Sequence, residues 1–343
     1  MMLLLLSILA LCNISLARAF GNLSPTNRIN HHLDLSSFVH LSRTRLYSSP
    51  HSANPTISNE IKQLMSKHDP ILLFASRLLP YQTAVDASAL YAWCRRLDEI
   101  TDDPSANVHS IQQQLIDWED RFNKLCTGQP VDEMDDALYQ CLQRNSNSLN
   151  ERPFQDMIVG MKSDAVPTIR TISSMEELEE YAYQVAGTVG LMLLPLLNAD
   201  VEKARQPAIA LGKAIQLINI LRDASPDAAL GRIYLPQDML ELEGVSNDDV
   251  LKLQVSDGYC RVVEKVTDRA RELLREAEVG KSTLPGVEGL FVQIIVELYR
   301  DYLDQLQVME YDNLNIRGER VKISTIQKVV AVGRALFTTV AGK

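Results

Sequence analysis

The stretch Ala89-Leu-Tyr-Ala-Trp-Cys-Arg-Arg-Leu-Asp-Glu-Ile-Thr-Asp-Asp-Pro104 constrains the fold more than any other. It joins a basic pair (Arg95, Arg96), four acids (Asp98, Glu99, Asp102, Asp103) and an apolar run (Leu90, Tyr91, Trp93, Leu97) within sixteen residues. On a helix, Asp98 and Asp102 are four apart and share one face. Two carboxylates that close repel unless a cation sits between them. The aromatic and aliphatic residues, by contrast, need a core. Such a helix reads as the wall of a cavity that holds a divalent cation, magnesium being the best match, for a phosphorylated substrate.

The rest of the composition narrows the chemistry. The formal net charge of −10 argues against nucleic acid as a partner. None of the five cysteines forms a CxxC pair, which leaves scattered thiols and neither a disulfide framework nor a zinc site. Of six histidines only His68 and His109 lie beyond residue 55, so a Ser-His-Asp triad or a His-ligated metal is hard to assemble. Catalysis here has to run on carboxylates, arginines and metal.

The first fifty-six residues do not read as part of the fold. Residues 1–19 pair an apolar core of signal-peptide length with a small-x-small site at Ala17-Arg-Ala19. Residues 20–56 then turn rich in Ser, Asn and His. Over residues 1–56 there are four arginines (Arg18, Arg28, Arg43, Arg45) against one acid, Asp34. A signal peptide followed by a basic segment opening on Phe20 resembles the bipartite presequence of algae with complex plastids. Ordinary secretion followed by a disordered tail is the alternative.

From residue 57 to 343 the periodicity predicts helix almost throughout, in one all-α domain. Helices are expected at 57–67, 70–79, 80–100, 111–126, 135–144, 154–164, 175–197, 207–223, 248–277, 290–302 and 322–339. No alternating strand pattern, internal repeat or phosphate-binding glycine loop is visible, which makes a sheet or a nucleotide site unexpected.

Gln216-Leu-Ile-Asn219-Ile-Leu-Arg222-Asp223-Ala-Ser-Pro-Asp227 repeats the logic of the opening stretch. Polar residues recur at helical spacing on an otherwise apolar helix, where they are costly unless they line a wet cavity. Two separated acid pairs, each beside an arginine, suggest metals clamped between facing helices and bridged by diphosphate. Between them, Gly187 and Gly190 each cost about 1 kcal/mol relative to alanine inside a helix. Either a neighbouring helix or a long apolar ligand must come close there.

Four blocks together resemble the squalene/phytoene synthase family, most of all its phytoene synthases. They are Leu90 to Asp102, Pro153 to Asp164, Tyr181 to Gly190 with its Val-Ala-Gly-Thr-Val-Gly run, and Gln216 to Asp238. The resemblance spans about residues 60 to 340. It implies an α-helical isoprenoid-synthase fold around a central apolar cavity. It also implies head-to-head condensation of two geranylgeranyl diphosphates to phytoene through a cyclopropyl intermediate, with Mg²⁺ or Mn²⁺. Carried over by position, Asp98 and Asp102 would bind metal on one wall, and Asp223 and Asp227 on the other. Tyr91, Arg95, Gln216, Asn219 and Arg222 would serve catalysis. Arg96, Tyr181, Val185, Val189, Gly190, Leu193, Leu197 and Arg317 would contact substrate.

The chain departs from the family at four places. Pro226 replaces the glutamate of Asp-x-x-Glu-Asp, and the helix is expected to end or kink just before Asp227. Asp69-Pro-Ile-Leu-Leu-Phe74 and Tyr81-Gln-Thr-Ala-Val-Asp86 stand where the family carries hydroxyl and basic contacts. Ala228, Ala229 and Leu230 also stand where basic residues are common. Two other functions stay open: a squalene or presqualene diphosphate synthase, and a non-catalytic family member acting as an assembly or binding factor. Lipid substrates also suggest peripheral membrane contact.

Overall fold

The computed structural model describes residues 56–341 apart from 70–72, 74–75, 77–78, 104, 167, 198, 281–283, 285 and 317–318. The presequence segments, Arg317 and most of the helix expected at 70–79 therefore lie outside the described residues.

The chain folds as thirteen α-helices among the described residues. The N-terminal half contributes α1 (Asn59–His68), α2 (Tyr81–Thr101), α3 (Val108–Cys126), α4 (Glu133–Arg144) and α5 (Arg152–Asp164). Then come α6 (Met175–Ala182), a π-helical turn (Tyr183–Gly187), α7 (Thr188–Leu193) and a 3₁₀ turn (Leu194–Leu197). The second half holds α8 (Val201–Ala229), α9 (Gln237–Leu242), α10 (Asn247–Leu251), α11 (Asp257–Val279), α12 (Gly286–Val308) and α13 (Thr325–Ala341). Side-chain caps start many of them: Asn107, Asp132, Ser174, Asp200, Ser246 and Ser256 each accept a first-turn N–H.

Two features differ from the expectation of helix alone. Strands β1 (Arg170–Ile172) and β2 (Arg232–Pro236) pair in parallel, Arg170 opposite Arg232. Three and five residues are too few to reveal an alternation in sequence. The helix expected at 248–277 also breaks, because Leu253 takes a positive φ between α10 and α11.

The core divides into two clusters. Trp93, Trp118, Phe122 and Phe154 centre the first, with Trp93 edge-on to Phe154 at 5.0 Å between ring centroids. The second surrounds α8, which packs on α11, α12, α6 and the π-helical turn. Helices α2 and α8 thus each belong to a different cluster and meet across a cleft. The described cysteines, Cys94, Cys126, Cys141 and Cys260, are free thiols.

The expectation that helix ends before Asp227 is overturned: α8 runs through Pro226 to Ala229. Proline has no N–H for the Arg222 carbonyl. That carbonyl accepts instead from the Val321 N–H at 3.0 Å, supplied by the strap that follows α12. Beside it, Asn313 Nδ2 donates to the Leu221 carbonyl at 2.7 Å. Asn313 is fully buried and fixed in turn by the Tyr259 hydroxyl at 2.8 Å. The carbonyl that proline leaves without a helical donor is satisfied from outside, the helix continues to Ala229, and Asp227 lines the same cleft as Asp223.

Candidate active site

The cleft between α2 and α8 collects most of the residues singled out in the sequence. From α2 come Arg95, Asp98 and Thr101, with Asp102 just past the helix end, its N–H bonded to the Asp98 carbonyl at 2.9 Å. From α8 come Gln216, Asn219, Arg222, Asp223 and Asp227. Their spacing of three and four keeps one polar stripe along a helix whose other faces are core. Tyr181 and Val185 close a third side.

Several lining residues were not read as site residues in the sequence. Asp69, Met161, Asp164, Arg232, Tyr234 and Arg320 all face the cleft. Asp164 accepts from the hydroxyls of Tyr181 at 2.7 Å and Tyr234 at 3.2 Å, whose rings stack at 5.4 Å. Asp164 and Arg232 lie inside matched blocks, so their position was available. Arg320 had no such signal; its guanidinium reaches Asp223 at 3.3 Å.

Two assigned residues sit elsewhere. Arg96 turns away from the cleft: it reaches Asp132 at 2.9 Å and Asp135 at 3.3 Å and lies 5.0 Å over the Trp118 ring. On a helix, consecutive residues diverge by about 100°, and here Arg95 lines the cleft while Arg96 is drawn to the acids at the start of α4. Tyr91 is fully buried, and its hydroxyl donates to Asp69 at 2.6 Å. It stands behind Asp69 and does not line the cleft itself. The two histidines left for chemistry are outside too, His68 lying 3.1 Å from Glu99.

The electrostatics are those of crowded carboxylates. Burial, reinforced by the neighbouring Asp223 carboxylate, pushes Asp227 up to about 7. Burial, with Asp102 adding to it, also raises Asp98. Arg222 answers Asp223 with two bonds of 2.7 Å and lies 6.0 Å from the Tyr302 ring centroid. Among the described residues no three acidic, histidine or cysteine side chains converge to enclose an ion alone. Each wall offers a pair of hard oxygen donors, which suits Mg²⁺, an ion commonly held by one or two carboxylates together with substrate phosphates and water. Arg95, Arg222, Arg232 and Arg320 add four guanidinium groups, the geometry that recognises diphosphate oxygens.

Next to the cleft along α8, where Ile215 adjoins Gln216, lies a separate apolar pocket of about 90 Å³. Val189, Gly190, Leu193 and Leu197 line it, as expected, together with Leu211, Ile215 and Val292 from the facing helices. Gly190 resolves the choice left open by the sequence. A Cβ there would stand 2.7 Å from the Ala208 carbonyl oxygen, so α8 is the close neighbour. That close approach forms the pocket wall.

A helical bundle with acid pairs on two facing helices, beside an apolar pocket, is the isoprenoid-synthase fold. A squalene synthase from Alicyclobacillus acidocaldarius superposes with a TM-score of 0.66 at 24% identity, over 74% of this chain and 93% of that one. A dehydrosqualene synthase solved with ligand gives 0.64 at 27% identity, over 82% and 96%. The squalene/phytoene synthase family model matches residues 65–327, and the chain belongs to that family. Phytoene synthase 1, chloroplastic, of Zea mays is 39% identical over 259 residues, 73% of this chain and 61% of the maize protein. Phytoene synthase 2, chloroplastic, of Solanum lycopersicum is 39% identical over 236 residues, 67% and 74%. The chain thus spans about three-fifths of the length of the maize relative.

Proposed function

We propose that the protein is a plastid phytoene synthase, joining two geranylgeranyl diphosphates head to head by way of prephytoene diphosphate. One observation carries the reading: two aspartate pairs and four arginines line one cleft, and an apolar pocket adjoins it along α8. The maize and tomato relatives, both chloroplastic phytoene synthases, favour phytoene over squalene as product and the plastid as compartment. Lipid substrate and product favour peripheral contact with a plastid membrane.

In this reading Asp98, Asp102, Asp223 and Asp227 hold Mg²⁺ or Mn²⁺. The metal, when bound, stabilises the negative charge that gathers on each leaving diphosphate. Arg95, Arg222, Arg232 and Arg320 take the remaining phosphate oxygens. Asp223, now paired with Arg222 and Arg320, would be free to hold the cation once those guanidinium groups turned to diphosphate oxygens. Gln216 and Asn219 face the reacting ends, while Tyr181 and Val185 border the allylic carbons. The apolar pocket from Val189 to Leu197 keeps water from the carbocation. Two diphosphates and two protons leave for each phytoene formed. No histidine base is called for. Continuity of α8 through Pro226 removes the main argument for a non-catalytic role, because Asp227 keeps its place.

The test is incubation of the protein with geranylgeranyl diphosphate and Mg²⁺ or Mn²⁺. Phytoene should form, and Asp98→Asn should cut turnover by at least about a hundredfold, an amount typical of a lost electrostatic contact to the transition state. Helical circular dichroism should not change. Intact substrate in the wild-type reaction defeats the reading, and consumption of farnesyl diphosphate alone would make the protein a C15 synthase.

A further inference from the structure

Glu99 and His68 take no part in the proposed reaction, yet they meet beside Arg95. Arg95 Nε donates to Glu99 Oε1 at 3.3 Å, and His68 Nε2 lies 3.1 Å from the same oxygen. Arg95 lines the cleft and Glu99 does not. Positions 91, 95 and 99 are four apart and form one stripe along α2; positions 95, 98 and 102, spaced by three and four, form the stripe beside it. The first stripe is tied to the end of α1 at two points. Glu99 is held there by His68, and the Tyr91 hydroxyl donates to Asp69 at 2.6 Å. The second stripe faces the cleft. Arg95 stands where the two stripes cross.

An ion pair between residues four apart on a helix surface contributes little to stability. The consequence here is for the arginine. An unrestrained arginine samples many rotamers, and gripping a phosphate with it forfeits that freedom. Arg95 is 20% exposed and, among the described residues, its guanidinium bonds to Glu99 and to no other side chain. The bond through Nε sets the plane of the group and leaves the two terminal nitrogens for the cleft, a pair able to grip two phosphate oxygens at once. The facing wall is built otherwise. There Nε and Nη2 of Arg222 both bond to Asp223 at 2.7 Å, so Arg222 must exchange partners before it takes a phosphate. Arg95 need not, because its partner lies outside the cleft.

We propose that Glu99 is a positioning residue that holds the Arg95 guanidinium in the orientation a diphosphate group requires. The α2 wall is thereby ready before substrate arrives, whereas the α8 wall has to rearrange. The ligand named here rests on reading the cleft as a diphosphate site. The clasp of Glu99 on Arg95 is a property of the chain itself.

The experiment is calorimetric titration of the full chain with inorganic diphosphate in the presence of Mg²⁺, run beside the phytoene assay. Glu99→Ala should weaken diphosphate binding by about tenfold, the scale of one hydrogen bond between charged groups, and lower kcat/KM with it. Glu99 is 39% exposed, so the circular dichroism should not change. Glu99→Gln keeps an acceptor for Arg95 Nε and should bind within about threefold of the wild type. The deciding comparison is made in Arg95→Ala. A residue that acts only through Arg95 has nothing left to position there, so adding Glu99→Ala should cause no further loss. A loss of full size without Arg95 would make Glu99 a staple between α1 and α2 and overturn the proposal. Wild-type affinity in Glu99→Ala, or no diphosphate binding by the wild type, overturns it as well. A wild type that binds diphosphate and shows the expected cycle but forms no phytoene defeats the synthase reading alone, so the two failures are distinguishable.

Discussion

At Gly212 a Cβ would stand 2.5 Å from the Ala186 carbonyl oxygen and 2.6 Å from the Gly187 Cα, both backbone atoms of the turn that α8 packs against. Backbone cannot rotate aside as a side chain can. Helix propensity alone favours alanine over glycine by about 1 kcal/mol, but overpacking a tight contact costs about 1–3 kcal/mol. The contact should win at Gly212, and Gly212→Ala should lower the thermal midpoint. Gly333 is the control: it is helical and has no atom within reach of a Cβ. There the propensity term acts alone, so Gly333→Ala should raise stability by up to about 1 kcal/mol. Thermal unfolding of the two variants checks the pair. A shift of the same sign in both would mean that the packing of α8 on the π-helical turn does not decide the cost. Gly212 and Gly190 both line the apolar pocket, so the close approach that demands glycine also fixes the pocket's width.

Helix α8 and the strap after α12 depend on one another through Pro226. The proline leaves the Arg222 carbonyl without its helical donor, and the Val321 N–H takes that place at 3.0 Å. The same strap brings Arg320 to Asp223. Replacing Pro226 by alanine restores a helical N–H that competes for the Arg222 carbonyl. We expect the Val321 amide to exchange with solvent about tenfold faster in Pro226→Ala, while amides in the middle of α8 keep their protection. Unchanged Val321 protection would mean that one carbonyl serves both donors and that the strap does not need the proline. This pairing also marks what the sequence could and could not disclose. Asp98, Asp102, Asp223 and Asp227 were legible because they recur at helical spacing within matched blocks. Nothing local in the sequence pointed to the bond that lets α8 continue through Pro226, since its donor lies ninety-nine positions downstream of the Arg222 acceptor. The same holds for Arg320, brought to Asp223 by where the strap docks. Arg96 was misplaced for a different reason: a basic pair on a helix does not declare which member faces the cleft, and the answer came from Asp132 and Asp135 on another element. The strands β1 and β2 were too short to carry a period at all.

At the scale of the whole molecule the second cluster is held by an ion-pair hub at Glu179, where α6 meets α8 and α11. Its carboxylate accepts from Arg269 Nε at 2.6 Å and from Lys213 Nζ. Burial works to raise this carboxyl, but the hydrogen bonds from Arg269 and Lys213 outweigh it and hold it below the ordinary value of 4.5. Glu297 at the junction of α12 and α13 follows the same rule, with burial opposed by Arg334 and Arg300. A carboxylate depressed in the folded state binds its proton first in the unfolded chain. The stability it contributes is therefore complete above about pH 5 and is lost as the pH falls below 4.5 through the folded value. Urea midpoints of the wild type should decline steeply over that range. In Glu179→Gln the midpoint should already be lower at pH 7, because two cations lose their counter-charge, and its decline on acidification should be shallower. A variant that lost stability at neutral pH but kept the full acid slope would locate the titrating groups elsewhere and leave Glu179 as a packing residue. Glu179 lies on α6, two residues before Tyr181 and close to the π-helical turn that border the cleft, so loosening this hub should also be felt at the cleft walls.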